Sequence, residues 1–559
     1  MCGIFCMICS NKKCNLEYVI NEFKLFEESV ARRGPNSSHS EFFSLETSKL
    51  LLAASVLWLQ GPGITKQPLT SNNSTLLYNG DIYGGPQVDD ELRNKEGDTK
   101  LFLNLLERSS NITETVYNIE GPFAFVYFNE SENLLYFGRD KYGRRSLLIG
   151  KDESDLIITS VAKRNTKYNF IELPSVGVFC IDLTTKNWQI FPWRRKSKHF
   201  YDKLNELEAF LEQSILKQEV DNEELKEFHP PNESQLEFLD NLLKMPSEEI
   251  FHYLSNSIYP DRIKKLKELL ESSIKKRILT QPKFCQNCFK QFNCNHAVTG
   301  VLFSGGVDCA ILALLANKFV DETRPIDLMN VAFEKNGTYD TPDRKTGRDT
   351  LQELQTLCSE RTWNFVEINV TSKELDFYRK ERISDLIYPL NSILDDSLGC
   401  ALWFASKAAT ENYTSPCRTL LVGMGADELF GGYTRHRAAF QKKGWKELDE
   451  VLKEDWQNLP HRNLARDDRV VSDHGRQLRT PYLDEEVVKF TQNLNSWDKT
   501  YPTKDLPSGI GEKLLLRCLA YDLGLKNAAT FKKRALQFGS RIANSKEKGH
   551  ETSDRLQVK

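Results

Sequence analysis

The stretch LFSGGVDCA (302–310) constrains the fold of this chain more than any other. An apolar run, HAVTGVLF, meets two glycines and passes straight into the apolar VDCAILALLANKF. A strand that turns on Gly-Gly into a helix opens a β–α unit. The alternation then repeats. DLMNVAF precedes the helical RDTLQELQTLCSE, the strand WNFVEINV follows, and a helix near 397–411 leads to the strand TLLVGMG (419–425). Alternating elements of this kind predict a mainly parallel sheet covered by helices. Backbone N–H groups at the Gly-Gly turn and the helix N-terminus form an anion site, and glycine lets the chain approach a phosphate without a Cβ clash. Ser304, Gly305, Gly306 and Asp308 are its candidate residues, read against the plainer alternative of an ordinary Gly-Gly turn. The GxxxxGK[ST] phosphate loop is not present there.

A second stretch, LLVGMGADELFGGY (420–433), lies at the end of a later strand, where ligands bind in open parallel sheets. Asp427 and Glu428 among glycines offer an acidic arm for Mg²⁺, a hard cation that takes oxygen ligands and phosphates. The alternative for this stretch is a solvated acidic turn.

Upstream the pattern differs. LLAASVLWL (51–59), TLLYNGDIYGG (75–85), FAFVYF (123–128), NLLYFGRD (133–140) and SLLIG (146–150) predict short strands punctuated by turns, with helices near 16–31 and 98–108. Residues 190–260 are polar and charge-rich and read as a connector or insertion. In PDRIKKLKELLESSIKKRIL the residues Ile263, Leu266, Leu270, Ile274 and Ile278 recur at helical spacing on one face, with Pro260 and Asp261 at the start. The last fifteen residues, SKEKGHETSDRLQVK, predict a disordered tail. The resulting division is 2–195, a connector at 196–290, a second domain at 291–543 and a tail at 544–559.

Composition excludes several classes. A formal net charge of −3, from 75 basic and 78 acidic residues, gives no global reason for nucleic-acid or membrane binding. No apolar run approaches the roughly 20 residues of a membrane span, and the start carries no basic segment followed by a long apolar one. The thirteen irregularly spaced cysteines then read as reduced thiols of a cytoplasmic protein, with Cys6 and Cys9 as core thiols.

The Gly-Gly loop resembles the SGGxDS pyrophosphate loop of ATP pyrophosphatases, enzymes that cleave ATP to AMP and pyrophosphate, with Cys309 in place of the final Ser. Taken with GMGADE, it is similar to the synthetase domain of glutamine-dependent asparagine synthetases, whose signature at the second position is SGEGSDE. RTPYLDEEVV (479–488) and GEKLLLRCLA (511–520) match further segments of that family. By this resemblance ATP would contact Phe303, Ser304, Gly305, Gly306, Asp308, Val331, Val422 and Gly423; Asp308 and Asp427 would hold Mg²⁺; and Lys513 would neutralise charge on the phosphates and the adenylate. Lys513 alone would otherwise read as a surface lysine beside an apolar face.

The opening MCGI fits the same family, which carries an N-terminal glutaminase domain of the Ntn type. The resemblance implies an α+β domain of αββα layers followed by an α/β parallel-sheet domain. Removal of Met1 would free the Cys2 amine, whose pKa near ~7.7–8.0 suits a general base for its own thiol. Without the C-terminal motifs, Cys2 would read as a small buried residue. NGDIYGG matches the family's NGEIYN, so Asn79 and Gly80 would form the oxyanion hole. Arg33 of ARRGPNS, Asp81 and Asp98 would bind glutamine. PDRKTGRDTLQEL (342–354), LDDSLGCALWFAS (394–406), GADELFGGYTRHR (425–437) and KKRALQFGSRIA (532–543) look like a eukaryotic branch of the family, the asparagine synthetase domain-containing proteins.

The resemblance implies a carbon–nitrogen ligase. Glutamine would be hydrolysed at Cys2, a carboxylate such as aspartate would be adenylated by ATP, and ammonia would form the amide. Two rivals stand beside it: a ligase acting on another acid, and a degenerate scaffold. The departures bear on both. The family's glutamine-carboxylate Arg falls at Val56, and the Glu of SGEGSDE falls at Met424, a thioether that cannot bind ammonium ionically. One cluster lies outside the family logic. FCQNCFKQFNCNHA places Cys285, Cys288, Cys294 and His296 in a C-x₂-C-x₅-C-x-H pattern, read either as a zinc site or as free thiols in a connector.

Overall fold

The computed structural model describes residues 2–10, 14–193, 198–219, 227–288, 294–543 and 547–556. Met1 and the limits drawn at 195 and 290 lie at or beside residues outside that set. Strand β1 (Gly3–Cys9) is followed by helix α1 (Leu16–Arg33), β2 (Lys49–Val56), β3 (Ser74–Gly80) and helix α2 (Asp98–Glu107). β1 and β2 sit in a six-stranded antiparallel sheet and β3 in a seven-stranded one. Strand alternation sorts the side chains. Cys2, Ile4 and Cys6 point into a core shared with Leu77, Val126 and Phe137 of the second sheet. Phe5 and Met7, one residue out of phase, meet Val19, Phe26 and Val30 of α1. Phe123, Phe125 and Tyr127 face Leu101, Phe102 and Leu106 of α2. The second sheet runs past residue 195, because Ile215–Lys217 pairs in parallel with Trp188–Pro192.

Further along comes helix α3 (Pro260–Leu279), whose Ile263, Leu266, Leu270, Ile274 and Ile278 are all buried as their spacing predicts. Five parallel strands follow: β4 (Thr299–Leu302), β5 (Ile326–Phe333), β6 (Trp363–Val370), β7 (Thr419–Leu421) and β8 (Gln477–Arg479). Their spatial order is β6-β5-β4-β7-β8. Strand order therefore reverses between β4 and β7, the point at which open α/β sheets bind ligands.

Three expectations are corrected. The polar stretch near 190–260 is not a simple linker: Leu239, Leu242, Ile250, Phe251 and Leu254 join one core with Leu515, Leu516 and Leu519. The tail is ordered over 547–556. The helix Ile393–Lys407 opens with N–H groups that have no partner within the helix. Ile393 N–H donates to Glu551 O at 2.8 Å and Leu394 N–H to Gly549 O at 2.9 Å. Arg555 then pairs with buried Asp396 at 2.8 Å. Polar composition conceals such docking because the bonds use the tail's backbone. Cys9 is not a free core thiol but is joined to Cys14, their Cα atoms 6.4 Å apart and within disulfide reach. Cys6 remains a buried free thiol. No helix among the described residues is long and apolar enough to cross a membrane.

Candidate functional site

Two pockets collect the candidate residues. In the first, β1 and β3 bring the chain's start against Asn79. Cys2 N–H donates to Asn79 Oδ1 at 3.0 Å, both residues being buried. That bond leaves Asn79 Nδ2 a buried donor with no partner beside Cys2. Gln67 Nε2 lies 3.6 Å from Cys2 Sγ, while its Oε1 accepts from Tyr78 N–H at 2.7 Å. Burial pushes the Cys2 thiol above its ordinary value. The cavity beside Cys2 is lined by Val56, Trp58, Gln67, Gly80, Asp98 and, from β8 of the other domain, Gln477. Burial, then the charge of Asp81, pushes the Asp98 carboxyl up to about 7.

Two further residues expected to hold glutamine are taken up elsewhere. Asp81 is fully buried and pairs with Arg145 at 2.9 Å and Arg479 at 3.1 Å. Burial alone would raise it, but the two guanidiniums hold Asp81 below the usual carboxylate value. Arg33 pairs with Asp468 at 2.7 Å, and its Nε donates to Cys2 O at 3.4 Å. Asp468 also meets Arg145 at 3.4 Å. The chain Arg33–Asp468–Arg145–Asp81–Arg479 thus crosses from one domain to the other, and Arg144 adds a pair with Glu485 at 2.6 Å. Nothing in the local sequence pattern reveals these pairs, four of which span more than 300 positions.

The second pocket lies at the reversal between β4 and β7. Phe303 N–H continues the sheet by donating to Met329 O at 2.8 Å. Gly305 has φ +80°, and a Cβ there would overlap the backbone of Thr346, so the turn requires glycine. Gly306 caps the helix Val307–Ala316. The Cys309 thiol donates to Gly306 O at 3.2 Å, and burial pushes it up to about 11, so it stays neutral. Asp308 leaves β4 and Asp427 leaves β7, and both meet Lys513 Nζ at 2.6 Å. Asp308 Oδ1 is buried without a hydrogen-bond partner. Val331 and Val422 are buried in the apolar layer behind the turn, and Gly423 lies against Asp308 Cβ.

Lys513 is fully buried and left-handed, with φ 55° and ψ 37°, a costly backbone for a lysine. Sequence reasoning missed two participants. Lys533 Nζ lies 2.6 Å from Asp427 Oδ2. Burial opposes ionisation of Asp427, but Lys513 and Lys533 hold it well below the usual range. Any Cβ at Gly432 would overlap Asp427 Oδ1 and Lys513 Cε, so the second glycine of FGGY gives the ion pair its room. Lys533 sits in the matched KKRALQFG segment, a signal of family but not of role. Glu428 is pushed up to about 7 by burial and by Asp427, and accepts from the Tyr433 hydroxyl at 2.6 Å. Met424, between these groups in sequence, packs beside Leu459, Leu464, Leu483 and Trp456.

Comparison with known proteins finds two domain matches and full-length relatives. The glutamine amidotransferase domain model matches residues 57–165, and the asparagine synthase model matches 295–443 and 440–551. The asparagine synthetase domain-containing protein CG17486 of Drosophila melanogaster is 36% identical, covering 100% of each chain. Asparagine synthetase domain-containing protein 1 of Mus musculus is 35% identical, also with 100% of each chain covered. A solved glutamine phosphoribosylpyrophosphate amidotransferase from B. subtilis aligns over 60% of this chain and 67% of its own at 16% identity and a TM-score of 0.27, too remote to carry an argument. Full-length similarity at this level, with both domain models matched in the same order, makes the chain a member of the asparagine synthetase domain-containing family.

Proposed function

We propose that the chain is a two-site amidotransferase: glutamine is hydrolysed at Cys2, and a carboxylate, with aspartate as first choice, is adenylated at the β4–β7 reversal. The observation that carries this reading is the convergence of Asp308, Asp427, Lys513 and Lys533 at the mouth of a Gly-Gly turn. A cation-rich cradle beside backbone donors fits the transfer of a nucleotidyl group, whose transition state carries charge on phosphate oxygens. Mg²⁺ fits the two carboxylates and the orphaned Asp308 Oδ1; when bound it supplies neutralisation of the pyrophosphate. Phe303, Ser304, Gly305, Gly306, Val331, Val422 and Gly423 are assigned to ATP.

In this mechanism a carboxylate oxygen attacks the α-phosphorus of ATP and pyrophosphate leaves. Lys513 and Lys533 hold the charge of the departing group. In the other pocket the Cys2 amine, freed of Met1, takes the thiol proton, and the thiolate attacks the glutamine amide. The oxyanion forms within reach of Asn79 and Gly80, and the unpartnered Asn79 Nδ2 is the donor in reserve. Ammonia leaves, and water releases glutamate from the thioester. Ammonia then displaces AMP from the acyl adenylate to give the amide. Asp98 receives the glutamine ammonium, whose charge would favour ionising a carboxyl that burial and Asp81 raise to about 7. Arg33 and Asp81 support this pocket from behind, through the ion pairs of the seam. We also assign the N-terminal domain the αββα layering of Ntn enzymes, supported by α1 and α2 on the outer faces of two sheets with one core between them.

A second reading is favoured by Met424, which turns an apolar side chain toward Leu483 where the family has a carboxylate. On that reading the activated acid is not aspartate. ATP–pyrophosphate exchange with a panel of carboxylates decides. Exchange with aspartate supports the first reading, exchange with another acid supports the second, and no exchange with any acid removes both.

A further inference from the structure

We propose that Cys285, Cys288, Cys294 and His296 bind one zinc ion, and that the ion pins this segment against the wall of the Cys2 cavity. The four ligand atoms lie within 4.8 Å of one another. His296 Nδ1 stands 3.3 Å from Cys288 Sγ, 3.5 Å from Cys294 Sγ and 3.7 Å from Cys285 Sγ. A tetrahedral zinc with sulfurs at about 2.3 Å and a nitrogen at about 2.0–2.1 Å requires N···S separations of about 3.6 Å. A single imidazole nitrogen facing three sulfurs at that distance is the arrangement of a ligand set around a common centre. None of the three cysteines is in a disulfide, and Cys285 N–H donates to Cys294 Sγ at 3.5 Å, a backbone bond of the kind that steadies a thiolate. Three sulfurs and an imidazole are soft donors that select zinc over the oxygen-seeking Mg²⁺. On binding, the three thiols lose their protons to solvent. Four protein ligands close the coordination sphere, so the site is structural and not catalytic.

Its position gives the ion a task. Phe284, next to Cys285, packs on Trp58 with ring centroids 5.1 Å apart. Trp58 lines the Cys2 cavity. Arg418 lies over the Phe284 ring at 5.5 Å and donates to Trp58 O at 3.2 Å, while Gln286 N–H donates to Pro416 O at 2.9 Å. The knuckle therefore ties the approach to β7 to the wall of the glutaminase pocket. This assignment does not depend on the catalytic reading above.

The test is the metal content of the full-length chain, expressed with zinc in the medium and purified in reducing buffer without chelator. The expected result is about one zinc per chain, falling to near zero in Cys288→Ser and His296→Ala and retained in His296→Cys, which restores a fourth soft ligand. Wild-type chain without zinc overturns the proposal, as does zinc undiminished in both loss variants. Should those variants fail to fold, cobalt loading of the wild-type chain serves instead. Thiolate-to-cobalt charge-transfer bands with tetrahedral d–d absorption support the site, and their absence overturns it. Hydrogen exchange reads the second half of the proposal: stripping zinc should speed amide exchange at residues 57–61, and unchanged exchange there rules out the pinning.

Discussion

The two pockets use charge in opposite ways. Around Lys513 the cations and carboxylates answer one another within a single cluster, Lys513 with Asp308 and Asp427 and Lys533 with Asp427. Around Cys2 the nearby charges are held in ion pairs, Asp81 with Arg145 and, across to the C-terminal half, Arg479, and Arg33 with Asp468. Asp81 and Asp98 both line the cavity, with Val56 beside them, but only Asp98 lacks an ion pair among the described residues. The groups around Lys513 all come from the C-terminal half, whereas the Cys2 cavity takes Gln477 from that half into its lining. A charged residue near a nucleophile is therefore not a ligand until its partners across the seam are known.

The largest effect expected from this contrast is on stability. Asp81→Asn removes the carboxylate charge that Arg479 and Arg145 share, leaving Arg145 only its longer pair with Asp468, and should cost about 3–5 kcal/mol in denaturant unfolding. Asp98→Asn should behave oppositely. Because the folded-state Asp98 is raised to about 7, ionisation weakens the fold as pH climbs from about 4 through 7. The neutral amide escapes that penalty, so Asp98→Asn should match or exceed wild-type stability at pH 8. Equal losses from the two variants would erase the distinction between seam and ligand.

Next in size is Lys513→Ala. Removing one positioned cation from the phosphate cradle should slow ATP–pyrophosphate exchange by about 10²–10³-fold. Glutamine binding at Cys2, measured in the same variant, should not change. A parallel fall in both would show that Lys513 supports the assembly and not only its own pocket.

The smallest effect is a pH profile. Glutamine affinity in Cys2→Ala, measured by calorimetry, should strengthen about tenfold from pH 6 to pH 8, as Asp98 ionises with its value near 7 and gains charge against the ammonium. A flat profile would take the ammonium role from Asp98.

Much of this was legible in the chain. The Gly-Gly turn, the βα alternation and the face of α3 follow from local spacing, which short-range sterics and burial enforce. Asp308, Asp427 and Lys513 were readable because each sits in a compact motif. The rest depends on distant partners. Asp81 and Arg479 are 398 positions apart, and neither pattern announces the pair. The 547–556 tail docks through its backbone, and backbone bonding leaves no mark in composition. Gly432 is intelligible only once Lys513 and Asp427 stand on either side of it.

In the proposed reaction one chain moves the amide nitrogen of glutamine to an ATP-activated acid. It is tested most directly with glutamine carrying ¹⁵N in the side-chain amide, incubated with ATP, Mg²⁺ and the acid that supports pyrophosphate exchange. The predicted result is ATP-dependent ¹⁵N in the product amide, lost in Cys2→Ala and restored there by adding ammonium. Pyrophosphate exchange without any ¹⁵N transfer, or transfer undiminished in Cys2→Ala, would contradict the two-site account.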